Sequence, residues 1–77
     1  MTDPVTGLTG TMTSPIRGAG GLGEVLVAIR GGTESYIARA DEPVAAGSTV
    51  LIIEAHPGRI VDVVPWIPLA PDRQQDI

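Results

Sequence analysis

The chain has 77 residues, enough for one small domain, and 43% of them are hydrophobic, so we expect a folded apolar core. Five arginines, no lysine and nine acidic residues give a net charge of −4, which is unfavourable for binding a nucleic acid backbone. The absence of cysteine excludes disulfides and zinc–thiolate sites.

The N-terminal segment, residues 1–6, has no pattern of a strand or a helix, and we expect it to be flexible. The first ten residues, MTDPVTGLTG, contain an acid where a signal peptide needs bases, and they lack its apolar stretch. No apolar run in the chain is long enough for a membrane-spanning helix. These features predict a soluble, cytoplasmic protein.

Five segments have the residue types of β-strands, and glycines and prolines separate them. In chain order they are residues 8–16, 24–30, 33–40, 48–55 and 59–64. The pair Gly31-Gly32 is typical of a two-residue hairpin turn, because glycine adopts positive φ without steric cost. Residues 44–47 are compatible with a single helical turn. Five short strands predict an all-β fold, a small closed or nearly closed β-barrel.

Residues 66–77 have the composition of a proline-rich C-terminal tail. Prolines at every third position from Pro65 favour an extended polyproline II conformation. Trp66, Ile67 and Leu69 give the start of this tail an apolar character, so they are candidates for contact with a partner. The alternative is that Trp66 folds back and plugs one end of the barrel, where a large aromatic ring would add buried area.

The stretch RGAGGLGE, residues 17–24, contains the spacing G-x-G-x-x-G. In dinucleotide-binding proteins this motif follows a buried strand and opens a helix. Here a strand-like run, VLVAI, follows it, so we predict a loop between strands and no cofactor. Because mobile loops on rigid barrels often bind ligands, this loop is the second candidate interaction region. Its candidate residues are Arg17, Gly18, Gly20, Gly21 and Leu22.

Residues suited to catalysis or metal binding are scarce. His56 is the only histidine, and the Pro57-Gly58 that follows it indicates an exposed turn. Asp62 alternates with apolar neighbours and is expected to face water. Asp41 and Glu42 lack the convergent set of oxygens that calcium requires. We therefore predict no catalytic, metal-binding or cofactor-binding residue, and no enzymatic activity.

A β-rich segment, residues 43–64, looks like the half-repeat of a biotinyl or lipoyl carrier domain. In such carriers a lysine in a hairpin forms the amide with the prosthetic group. The chain contains no lysine, so the carrier function is excluded on chemical grounds.

A series of landmarks over residues 7–65 resembles one protein family. In chain order they are Gly7-x-x-Gly10, Gly23-x-Val25, Tyr36-x-Ala38, Ala46-Gly47-Ser48-x-Val50 and Arg59-Ile60-x-x-Val63-x-Pro65. This pattern resembles the C-terminal domain of NfeD proteins. The resemblance implies a five-stranded OB-fold-like β-barrel. It also implies partners of the stomatin, prohibitin and flotillin class, which are membrane-scaffold proteins.

The chain departs from the family pattern in two respects. It lacks the membrane helices and the serine protease domain that accompany some family members, and its glycine loop is longer. We therefore expect a non-enzymatic protein-interaction module that reaches the membrane only through a partner. The alternative is an oligonucleotide-binding OB-fold protein, which needs aromatic stacking platforms and a basic groove. One Trp, one Tyr and no Phe in an acidic chain disfavour that alternative.

Overall fold

The computed structural model describes residues 5–66, which form five β-strands and contain no helix. The strands are β1 (Thr9–Ser14), β2 (Leu22–Ile29), β3 (Gly32–Arg39), β4 (Thr49–His56) and β5 (Ile60–Pro65). They close into a barrel in the order β1-β2-β3-β5-β4. All neighbouring strands are antiparallel except β3 and β5, which are parallel. The five-stranded all-β barrel that the sequence predicts is confirmed.

The core is built from the alternation of side chains along each strand. Val25 and Val27 point into the barrel from β2, and Val61 and Val63 do the same from β5. Every core residue is apolar and at most 4% exposed. The full set is Val5, Met12, Ile16, Val25, Val27, Ala38, Val44, Val50, Ile52, Val61 and Val63. Most of these side chains are β-branched, which suits a pleated, buried surface.

Two strand glycines allow β1 and β2 to approach closely. A Cβ atom on Gly10 would lie 2.7 Å from the Val25 side chain and 2.8 Å from the Leu26 carbonyl oxygen. A Cβ atom on Gly23 would lie 2.6 Å from the Ser14 carbonyl oxygen. Neither position has room for a side chain, so the close pairing of β1 with β2 depends on glycine.

The N-terminal segment contributes to the core. We expected residues 1–6 to be flexible and the barrel to begin at residue 7, but Val5 is completely buried. The Gly7 amide donates a hydrogen bond to the Ile52 carbonyl oxygen at 2.8 Å, which ties this segment to β4. Val5 and Gly7 therefore belong to the packed part of the chain.

The connection between β3 and β4 closes one end of the barrel. The Ile16 amide donates to the Val44 carbonyl oxygen at 2.9 Å, and the Val44 amide donates to the Ile16 carbonyl oxygen at 2.8 Å. Both side chains are buried. The backbone amide and carbonyl groups of Val44 both bond to Ile16. Val44 is therefore extended and does not belong to the helical turn that residues 44–47 suggested.

The β2–β3 turn lies one residue earlier than predicted. Ile29 pairs with Gly32, so the two turn residues are Arg30 and Gly31 rather than Gly31 and Gly32. Arg30 has a φ of 48° and Gly31 a φ of 82°, and two positive φ values define a type I′ turn. The strand register fixes the position of the turn. Arg30 therefore occupies a positive-φ conformation that glycine or asparagine prefers.

Substitution of this strained residue is expected to stabilise the protein. Arg30→Asn should raise the free energy of unfolding by about 0.5–1 kcal/mol, because asparagine tolerates positive φ and Asn-Gly suits this turn. Urea unfolding would measure the change. Gly31→Ala should have the opposite sign, since alanine is strained at the φ of 82°. An Arg30→Asn variant less stable than the wild type would contradict this account of the turn.

Candidate functional site

The glycine loop is shorter than the sequence suggests. Only residues 17–21 separate the Ile16 bridge from β2, because Leu22 already belongs to that strand. The Gly21 amide donates to the Gly18 carbonyl oxygen at 2.9 Å, which closes a tight turn. A strand follows this turn, so the loop lacks the helix N-terminus that binds phosphate in dinucleotide sites. Leu22 is 59% exposed.

The start of the C-terminal tail continues the β4–β5 ladder. The Trp66 amide donates to the Thr49 carbonyl oxygen at 3.0 Å, yet the residue is 44% exposed. Trp66 therefore does not plug the barrel. Ile16 and Val44, which pair with each other, are buried in the core instead. Residues 67–77, including the candidates Ile67 and Leu69, lie outside the described residues.

Arg17 and Trp66, one residue from each candidate interaction region, lie at the same end of the barrel. Strands β1 and β5 are both antiparallel to β4, so they run in the same direction. Arg17 follows the end of β1, and Trp66 follows the end of β5. The topology therefore places these two residues, which are far apart in sequence, at the end of the barrel where Ile16 pairs with Val44.

Three polar side chains form a network on the outer face of β3, β5 and β4. Arg39 Nε donates to Asp62 Oδ1 at 2.9 Å, and His56 Nε2 lies 2.8 Å from Asp62 Oδ2. Our prediction of an exposed turn histidine was wrong, since His56 is the last residue of β4 and is partly buried. Asp62 is also partly buried, with 27% of its side chain exposed, rather than simply facing water.

The chemistry of this network is set by the carboxylate. An ionised Asp62 can only accept hydrogen bonds, so the proton at the 2.8 Å contact belongs to His56 Nε2. The hydrogen bond from His56 and the adjacent Arg39 guanidinium hold the pKa of Asp62 below its usual range. The network joins β3, β5 and β4 through their side chains. It adds to a short backbone pairing, since β3 and β5 have only three paired positions between them.

Glu54 lies beside this network. Ligand atoms of Glu54, His56 and Asp62 all lie within 4.8 Å of one another, which is compatible with a shared cation. The positive charge of Arg39, 2.9 Å from Asp62, opposes such a cation, and both Asp62 oxygens already accept hydrogen bonds. The arrangement therefore works as an ion-pair network between strands.

The lowered pKa of Asp62 predicts a loss of stability in acid. A carboxyl group whose pKa is lower in the folded state stabilises the fold above its unfolded pKa, near 3.8, and this stabilisation disappears as the pH falls through the folded value. Between about pH 5 and about pH 2, the free energy of unfolding of the wild type should fall by about 0.5–1 kcal/mol more than that of Asp62→Asn. Urea unfolding at each pH would measure this.

The matched control for this prediction is Asp41→Asn. Asp41 is exposed and makes no hydrogen bond or ion pair within residues 5–66. This variant should therefore follow the pH profile of the wild type. Parallel profiles for Asp62→Asn and the wild type would contradict a stabilising role of the carboxylate.

Arg59 forms a second group of contacts that sequence reasoning missed. Its guanidinium lies 4.6 Å from the centre of the Tyr36 ring, and Nη2 donates to Glu34 at 2.6 Å and to the Ser35 carbonyl oxygen at 2.9 Å. The hydrogen bond to Glu34 raises the pKa of Arg59. The carbonyl group of Ser35 lies on β3 outside the stretch that pairs with β5, which starts at Ile37. Arg59 therefore extends the contact between these segments, and it covers one face of the Tyr36 ring.

Comparison with known proteins relates this fold to one family. Residues 9–64 match the model of the NfeD C-terminal domain. A solved structure, the solution structure of the soluble domain of the NfeD protein YuaF from Bacillus subtilis, is similar with a TM-score of 0.73 and 28% sequence identity. The similarity covers 87% of this chain and 80% of that one. No curated protein sequence matches the chain significantly.

Proposed function

Because the chain belongs to the NfeD C-terminal domain family, we propose that it is a non-enzymatic protein-interaction module. Its partner is a membrane-scaffold protein of the stomatin, prohibitin or flotillin class. The observation that supports this role is the exposure of five large apolar side chains on a small barrel, where they are available for contact with another protein. These side chains belong to Leu22, Leu26, Ile37, Ile53 and Trp66.

The module acts in the cytoplasm and is recruited to the membrane by this partner. Within residues 5–66, no helix has the length and hydrophobicity that crossing a bilayer requires. The net charge of −4 disfavours direct attraction to anionic lipid headgroups. The negative charge of the chain therefore agrees better with contact with a protein than with contact with the lipid surface.

Two contacts weigh against the oligonucleotide-binding alternative. Arg59 covers one face of the Tyr36 ring, so that face is not free to stack on a base. The charges of Arg59 and Arg39 are balanced by Glu34 and Asp62, which leaves less positive charge for phosphates.

Backbone amide chemical shifts test the proposal directly. We expect the spectrum of the chain to change on addition of the purified soluble domain of a stomatin-class scaffold, and to stay unchanged with a short single-stranded oligonucleotide. Absence of any change with members of all three scaffold classes would overturn the proposed partner. Changes along the Tyr36 strand with oligonucleotide, at low salt, would favour nucleic acid binding instead.

A further inference from the structure

Four apolar side chains follow one another in a row along the outer face of β4 and β5. Leu51 and Val64 lie directly opposite each other and are both partly exposed. Because the strands are antiparallel, Ile53 follows Leu51 on one side of this pair and Trp66 follows Val64 on the other, beside Thr49. Ile53 is 50% exposed and Trp66 is 44% exposed. We name these residues, Leu51, Ile53, Val64 and Trp66, the β4–β5 patch.

A β-bulge puts Glu54 on the same outer face as Ile53, which the alternation after buried Ile52 already turns outward. Pairing between the two strands passes from Ile52 and Val63 to Glu54 and Asp62, so Ile53 has no partner on β5. Ile52 is completely buried, whereas Ile53 and Glu54 are both exposed. Bulges reorient side chains in this way. The backbone therefore places an isoleucine in water next to a carboxylate, which a regular strand would not do.

The charge at the border of the patch is negative and unbalanced. Glu54 is exposed and makes no ion pair within the described part of the chain. Its cross-strand neighbour Asp62 is already paired with Arg39. A complementary surface would thus carry apolar side chains with a basic side chain beside them.

We infer that the β4–β5 patch, bordered by Glu54, is the surface that binds the protein partner. This inference rests on the proposed function. The partner presents apolar side chains to the patch and an arginine or lysine to Glu54. Trp66, at the end of the patch opposite Glu54, is expected to contribute most to the binding energy, because tryptophan is enriched among such residues at interfaces.

A second copy of the chain and a lipid surface fit this patch less well. In a two-fold dimer the same patch would face itself, which brings two Glu54 carboxylates into one interface without a basic residue in the patch. Anionic lipid headgroups would meet the same unbalanced negative charge. A basic, apolar segment of another protein satisfies both features of the patch.

The test measures the affinity for the soluble domain of a stomatin-class scaffold by calorimetry. Trp66→Ala, Ile53→Ser and Glu54→Lys should each weaken binding by about tenfold or more. The matched control is Glu42→Lys, which reverses an exposed carboxylate outside the patch and should stay within about twofold of the wild type. Leu22→Ser tests the other candidate surface, the glycine-loop region, where Leu22 is 59% exposed. Amide spectra and melting temperatures confirm that each variant is folded.

Each other outcome overturns the inference in a recognisable way. Loss of binding with Leu22→Ser but not with Ile53→Ser would assign the contact to the glycine-loop region and leave the proposed function standing. No binding by the wild type would overturn both. A concentration-dependent dimer that Ile53→Ser abolishes would identify a second copy as the occupant. A chain that ends at Trp66 would also be compared with the full chain. If its patch amides shift and it binds the scaffold more tightly, residues 67–77 are the occupant of the patch.

Discussion

Gly23→Ala is expected to destabilise the barrel by about 2–3 kcal/mol or to prevent folding. The added Cβ atom would lie 2.6 Å from the Ser14 carbonyl oxygen, 2.9 Å from Ile16 Cγ1 and 3.0 Å from Met12 Cε. The oxygen belongs to the backbone of β1, and the two side chains belong to the core. The Met12 methyl group is the end of a flexible side chain, but the Ser14 carbonyl oxygen cannot move away without disturbing the pairing of β1 with β2.

Gly18→Ala is the matched control from the same glycine motif. No atom lies within 4 Å of a Cβ at this position, so the change in unfolding free energy should stay within about 0.5 kcal/mol. Urea unfolding of the two variants would measure the difference. Similar destabilisation by both would show that the whole loop, rather than the strand contact at Gly23, requires glycine.

These two glycines explain why the G-x-G-x-x-G spacing misleads. In a dinucleotide site the glycines serve the approach of a pyrophosphate to a helix N-terminus. Here Gly23 serves the approach of one strand to another, and Gly18 belongs to a turn. The strand-like VLVAI run after the motif is the sequence signal that distinguishes a loop between strands from a dinucleotide-binding loop.

The barrel was predictable because its core follows a local rule. Alternating β-branched residues on β2 and β5 show which side chains point inward, and Val25, Val27, Val61 and Val63 are all buried as this period requires. The position of the β2–β3 turn was missed by one residue, since Gly31 and Gly32 both suit positive φ. Only the pairing of Ile29 with Gly32 decides between them.

The polar network and the patch were not predictable from local patterns. His56 reaches Asp62 across β4 and β5, and Arg39 reaches it across the parallel pairing of β3 with β5. The alignment of these three residues depends on the bulge at Ile53, whose position the apolar run of β4 does not reveal. Long-range register therefore determines these contacts, and sequence spacing alone does not encode it.

Ile16→Ala is expected to lower the free energy of unfolding by about 2–4 kcal/mol. Ile16 is 1% exposed, and its backbone makes two hydrogen bonds with Val44 at the closed end of the barrel. Removing most of its side chain leaves a cavity between the glycine loop and the β3–β4 connection. The two segments cannot collapse into this cavity without losing those hydrogen bonds. Urea unfolding monitored by circular dichroism would measure the loss.

Ile53→Ala makes the same chemical change on the surface and completes the comparison. Ile53 is 50% exposed, so its truncation should alter stability by no more than about 0.5 kcal/mol. If the β4–β5 patch binds the partner, this variant should instead weaken binding, whereas Ile16→Ala should retain binding at temperatures where it is folded. A destabilisation by Ile53→Ala as large as that by Ile16→Ala would mean that Ile53 supports the fold. Its exposure would then no longer be an argument for an interaction surface.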